Sequence, residues 1–120
     1  MTKRILIADD DVDIAHSLGE LLREAGYETA SATSAKAAFS MLGERHYDLL
    51  LTDINMPEMN GFALKKVIKQ SETLNNVPVI FMSGYSPEIE RAPSLVLTKP
   101  FNHNDLLSVI ELTLMPETAH

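Results

Sequence analysis

Short apolar runs alternate with helical periodicities along the chain, and few folds accept that alternation. The runs are Arg4–Ala8, Asp48–Thr52, Val77–Met82 and Leu95–Thr98, with a weaker one at Tyr27–Ser31. Between the first two, Val12–Ala25 repeats Ile14, Ala15, Leu18, Leu21, Leu22 and Ala25 on one helical face, and Gly26 follows as a stop. Ser34 is placed to cap a helix with Ala35, Ala38, Phe39 and Leu42 inward, ending at Gly43. Asn60 can cap a helix from Gly61 to Gln70, and Asn102 a closing helix with Leu106, Leu107, Ile110 and Leu114 on one side. Parallel strands need a crossover between them, and a helix on one face supplies it. The pattern therefore predicts an α/β fold: a doubly wound five-stranded parallel sheet with helices on both faces. At 120 residues the chain fits one domain spanning 1–120, with 116–120 expected as a frayed tail.

In such sheets ligands bind at the edge where the strands end. Four polar groups reach that edge, each after its own apolar run: the pair Asp9-Asp10, then Asp53, Ser83 and Lys99. Asp53 is the most informative, because an acid that closes a nearly continuous apolar run is carried by a buried strand to that edge.

Composition removes several function classes. There is no cysteine, hence no disulfide, thiolate metal site or thiol nucleophile. Ten basic against 17 acidic residues give a net charge of −7, and the densest basic stretch, Lys65-Lys66 with Lys69, fits a solvated helix face. Nucleic-acid binding through phosphate neutralisation is not expected. No stretch approaches the ~20 apolar residues of a membrane span, and the apolar run at the start is too short for a signal peptide. A cytoplasmic location without membrane contact is expected.

Carboxylates from Asp9, Asp10 and Asp53 converging on one pocket would repel one another and attract a hard divalent cation such as Mg²⁺ or Mn²⁺, with the backbone carbonyl of Asn55 as a further oxygen. Asp11 and Asp13 are better read as acids favouring a helix N-terminus. Lys99 supplies a point charge and Ser83 a hydroxyl donor for phosphoryl oxygens. Together the groups suit phosphoryl transfer, with Asp53 as nucleophile. His16, His46, His103 and His120 fall on expected helices, loops or the tail and are read as solvent-facing, which disfavours a Ser/His/Asp triad. No GxxxxGK[ST] loop is present to cradle a nucleotide.

Four motifs stand in order: Ile5-Leu6-Ile7-Ala8-Asp9-Asp10-Asp11, Asp53-Ile54-Asn55-Met56-Pro57 with Asn60-Gly61, Met82-Ser83-Gly84, and Lys99-Pro100-Phe101. They resemble the receiver domain of bacterial two-component response regulators, the CheY-like family, across essentially the whole chain. The resemblance implies a flavodoxin-like strand order 2-1-3-4-5. It further implies that Asp53 accepts phosphate from a phosphohistidine of a histidine kinase or phosphotransfer protein. By the same resemblance Asp10, Asp53 and the Asn55 carbonyl hold Mg²⁺, Asp9 acts through water, and Ser83 and Lys99 grip the phosphoryl group. Such a chain catalyses only its own phosphorylation and dephosphorylation, and signals to a downstream protein.

Two departures from the family pattern matter. Val96 stands where an aromatic residue commonly lies, three before the lysine. Only residues 84–98 lie between Ser83 and Lys99, and Pro93 would stop any helix begun at Ser86. The fourth helix is therefore expected to be short or irregular. Asn55 and Tyr85, each two residues beyond a site group, are expected to modulate the phosphate's lifetime. Two other readings compete: a receiver-like docking module that takes no phosphate, and a Mg²⁺-dependent aspartyl-phosphate phosphatase of the haloacid dehalogenase type. The latter needs an acid two residues after its nucleophile, where this chain has Asn55.

Overall fold

The computed structural model describes residues 2–83, 96–98 and 102–115. In chain order the elements are β1 (Arg4–Ala8), α1 (Val12–Glu24), β2 (Glu28–Ala32), α2 (Ala35–Glu44), β3 (Leu49–Asp53), α3 (Gly61–Gln70), β4 (Val79–Ser83), β5 (Val96–Thr98) and α4 (His103–Leu114). Each helix begins where a side chain accepts a backbone N–H of its first turn. Asp11 Oδ1 accepts from Asp13 and Ile14, Ser34 Oγ from Ala37, Asn60 Oδ1 from Ala63, and Asn102 Oδ1 from Asp105. Such caps satisfy donors that have no partner inside the helix. After α1, Gly26 takes φ +102°, and the amides of Gly26 and Tyr27 bond back to Arg23 and Leu22. That closure requires a left-handed residue, which glycine adopts without strain.

The strands form one parallel sheet in the order β2-β1-β3-β4-β5. Successive strand side chains face opposite sides, so each run splits between two cores. Ile5, Ile7, Leu49, Leu51, Ile80 and Met82 pack with Ala15, Leu18 and Leu22 of α1 and Leu106 and Ile110 of α4. Leu6, Ala8, Leu50, Val79 and Phe81 pack with Ala35, Ala38 and Leu42 of α2 and Leu64 and Ile68 of α3. Burial on both faces explains why β3 reads as continuous apolarity rather than alternation.

Some sequence expectations need correction. Phe39, expected inward, is exposed on α2 (38 %), and Ala25 is likewise exposed. The face buried by α2 is the Ala35-Ala38-Leu42 stripe, and Phe39 stands a quarter-turn beyond Ala38. Gly43 does not end α2, which continues to Glu44 before the chain turns extended at Arg45. The expected short or irregular helix after Ser83 and the expected tail at 116–120 lie outside the described residues.

The N-terminal edge of the sheet is closed by Asp48. Its Oδ2 accepts the Arg4 N–H at 2.8 Å and its Oδ1 lies 3.0 Å from His46 Nε2, with Lys3 Nζ at 4.0 Å. Partial burial pushes this carboxyl's pKa upward. The Arg4 amide, His46 and Lys3 outweigh that effect and hold it below the ordinary carboxylate value. A carboxyl with a depressed folded pKa stabilises above its unfolded pKa and loses that contribution as pH falls through the folded value. Asp48→Asn is therefore expected to cost about 1–2 kcal/mol at neutral pH, by analogy with other charge-assisted hydrogen bonds. The difference from the parent should hold down to about pH 4 and close below it. Denaturant titrations at several pH values read this directly, and a pH-independent difference would contradict it.

Candidate acceptor and metal site

At the opposite edge the chain leaves β1 and β3 through two short acidic turns. Asp9 continues β1, donating its N–H to Ala32 at 3.0 Å, and its Oδ1 accepts the N–H of Asp11 at 2.9 Å. Asp11 in turn caps α1, so that cap and the Asp9 carboxylate are set by the same turn. Asp53 ends β3 opposite Met82 of β4, and its Oδ1 accepts the N–H of Asn55 at 3.1 Å. The two strands are direct neighbours, and the turns therefore meet. Carboxylate oxygens of Asp9, Asp10 and Asp53 all lie within 4.8 Å of one another. Asp9 is fully buried, Asp53 nearly so (7 % exposed), and Asp10 faces solvent.

Three carboxylates this close form an all-oxygen donor set for a hard cation. Two ligands on one Mg²⁺ at ~2.1 Å each can be at most ~4.2 Å apart. Oxygens within 4.8 Å of one another are near enough to that span for the trio to share one such ion. Exposure of Asp10 leaves one side open to solvent and to an incoming group.

The main chain beyond Asp53 is fixed plane by plane. The Asp53 carbonyl accepts from the buried hydroxyl of Thr52 at 3.0 Å, and the Ile54 N–H donates to Met82 at 2.9 Å. In the next peptide the Ile54 carbonyl accepts from Gly61 at 2.9 Å and Met56 at 3.2 Å, while the Asn55 N–H holds the Asp53 carboxylate. Glu58, at φ +69°, turns the chain toward the Asn60 cap. A side chain in that conformation carries roughly 1–2 kcal/mol of strain.

Every carboxylate assigned to the site from sequence is thus brought to one place, and Asn55 sits beside it, exposed. Ser83 ends β4 and is paired with Thr98 of β5, which Val96 opens. Lys99 and Tyr85 lie outside the described residues. His16 and His46 are solvent-facing as expected (67 and 78 % exposed), and so is His103. Sequence reading did not single out Thr52 as a site residue, nor Gly61 beyond its motif. Their signals were a hydroxyl closing an apolar run and a glycine at a helix start, where nearly any residue is tolerated.

Comparison with known proteins agrees with this geometry. The response regulator receiver domain family matches residues 5–111. The response regulator receiver protein CpdR of Brucella abortus is 37 % identical, over 94 % of this chain and 98 % of that protein. The transcriptional regulatory protein CpxR homolog of Haemophilus influenzae is 31 % identical over 92 % of this chain, which spans only half of that longer protein (50 %). Among solved structures, the signal receiver domain of a signal transduction histidine kinase from Syntrophus aciditrophicus superposes with a TM-score of 0.89 at 30 % identity, covering 99 % of this chain and 95 % of that one. With the fold, the acidic cluster and a family match over most of its length, the chain belongs to the response regulator receiver domain family.

Proposed function

We propose that this receiver domain is a phosphorylatable switch of a phosphorelay, with Asp53 the acceptor. The observation carrying the proposal is the placement of Asp53: nearly buried at a strand end, one oxygen oriented by Asn55, two further carboxylates within 4.8 Å. A nucleophile held in one direction reacts without losing rotational freedom. In the step proposed, an Asp53 oxygen bonds to the phosphorus of a phosphohistidine on a histidine kinase or phosphotransfer protein. The phosphorus–nitrogen bond breaks, and the imidazole leaves with its electron pair and takes a proton from solvent.

Asp10, Asp53 and the Asn55 carbonyl would hold Mg²⁺ directly, or Mn²⁺ in its place, with Asp9 acting through water. When bound, the cation offsets charge on the acceptor and the transferring oxygens. The Ser83 hydroxyl and Lys99 ammonium are assigned to the phosphoryl oxygens. Asn55 and Tyr85 are assigned to the approach of hydrolytic water, and Val96 to the place of an aromatic switch residue. On this reading the chain is a cytoplasmic signalling component that acts on a protein target, with no turnover of a free substrate and no nucleic-acid or membrane contact of its own.

The test is incubation with radiolabelled acetyl phosphate and Mg²⁺. Label that hydroxylamine releases, as it does from an acyl phosphate, together with no turnover of a generic phosphomonoester, is expected. Stable turnover of the monoester would instead favour a phosphatase.

A further inference from the structure

We infer that Thr52 and Gly61 are positioning residues for the acceptor, holding the Asp53–Asn55 main chain so that the Asn55 N–H keeps the Asp53 carboxylate in one orientation. The inference rests on the functional reading above and names two residues that act on its site without touching the phosphoryl group.

Thr52 carries a fully buried polar side chain on the face of β3 that packs toward α3. Its hydroxyl donates to the Asp53 carbonyl at 3.0 Å, and so fixes the first peptide plane beyond the acceptor. Gly61, the buried first residue of α3, works from the other side. Its N–H donates to the Ile54 carbonyl at 2.9 Å, which fixes the second plane. That plane carries the Asn55 N–H, the donor to Asp53 Oδ1.

The glycine is required by space. A Cβ at position 61 would lie 2.6 Å from the Asp53 carbonyl oxygen and 3.0 Å from Ile54 Cα. Both are main-chain atoms of the acceptor turn, so a side chain there can be admitted only by shifting the turn and the start of α3 relative to each other. No left-handed conformation is involved at Gly61; close approach alone demands the missing side chain. The start of α3 is thereby seated on the acceptor, and the direction of the carboxylate depends on that seat.

Thr52→Val, Thr52→Ser and Gly61→Ala test this. Valine keeps the shape of threonine and removes the donor, serine keeps the donor, and alanine adds one methyl group. Two readouts are taken on each folded variant: the Mg²⁺ dissociation constant from amide resonance shifts of Asn55, and the rate of phosphorylation by acetyl phosphate at saturating Mg²⁺. Partners that orient ligands typically change metal affinity or rate by about 10–100-fold when removed. Gly61→Ala and Thr52→Val are each expected to lose about tenfold in one or both readouts, and Thr52→Ser to stay within about twofold of the parent.

Rescue by serine separates a positioning hydroxyl from mere core filling, because valine fills the space equally well. If Gly61→Ala does not fold, the Thr52 pair decides. Folded Thr52→Val and Gly61→Ala that match the parent in both readouts would overturn the inference. A parent that binds Mg²⁺ but takes no phosphoryl group would defeat the acceptor reading, while the Mg²⁺ constants of the variants would still judge this one.

Discussion

Phe81→Ala is expected to destabilise the protein by about 3–5 kcal/mol, a large share of the roughly 5–15 kcal/mol that holds an ordinary domain folded. Phe81 is fully buried on β4, packs edge-to-face on Phe62 of α3 with ring centroids 4.8 Å apart, and is covered by Lys65, whose Nζ lies 5.8 Å from the ring centre. Truncation removes the ring and leaves a cavity between the sheet and α3 that rigid neighbours close only partly. The control is Phe39→Ala. Phe39 is exposed on α2 and should cost under about 1 kcal/mol. Denaturant unfolding of both variants separates the two cases. Equal losses would mean that Phe39 is inward after all.

A comparably large effect is expected from Mg²⁺ on thermal stability. Three carboxylates within 4.8 Å repel one another, and a bound divalent cation relieves that repulsion only in the folded state. At about a hundred times its dissociation constant a ligand adds ~2.7 kcal/mol, or several degrees in Tm for a domain of this size. Asp10→Asn removes the solvent-facing carboxylate of the three. The variant should melt slightly higher than the parent in EDTA and lose most of the rise with Mg²⁺. Thermal unfolding with and without Mg²⁺ reads both arms. An undiminished Mg²⁺ response in Asp10→Asn would place the cation elsewhere.

Much of this molecule is legible in its sequence where the determining interaction is local. Ser34, Asn60 and Asn102 cap the helices they were expected to cap, because capping is a contact between a side chain and an amide three residues on. Asp9, Asp10 and Asp53 could be placed together because apolar runs mark strands, and parallel strands of one sheet end on the same edge. Asp11 is the helix-terminal acid it was read to be.

What escaped the sequence depends on contacts between distant elements. Phe39 has the spacing of an inward residue, but Ala35, Ala38 and Leu42 already fill the stripe that meets the sheet. Gly43 looks like a helix stop, yet α2 runs one residue further. The seating of Gly61 on the acceptor turn is not visible in a pattern, because it is a matter of tenths of an ångström between β3 and α3.

The central claim is that Asp53 takes a phosphoryl group with the help of a divalent cation, and intact mass tests it most directly. The chain is incubated with acetyl phosphate and Mg²⁺ beside an Asp53→Asn variant and an EDTA-treated sample, each shown folded by circular dichroism. A single phosphoryl adduct on the parent, absent from the variant and from the EDTA sample, is the predicted result. An adduct that persists in Asp53→Asn, or a folded parent that takes none, would contradict it.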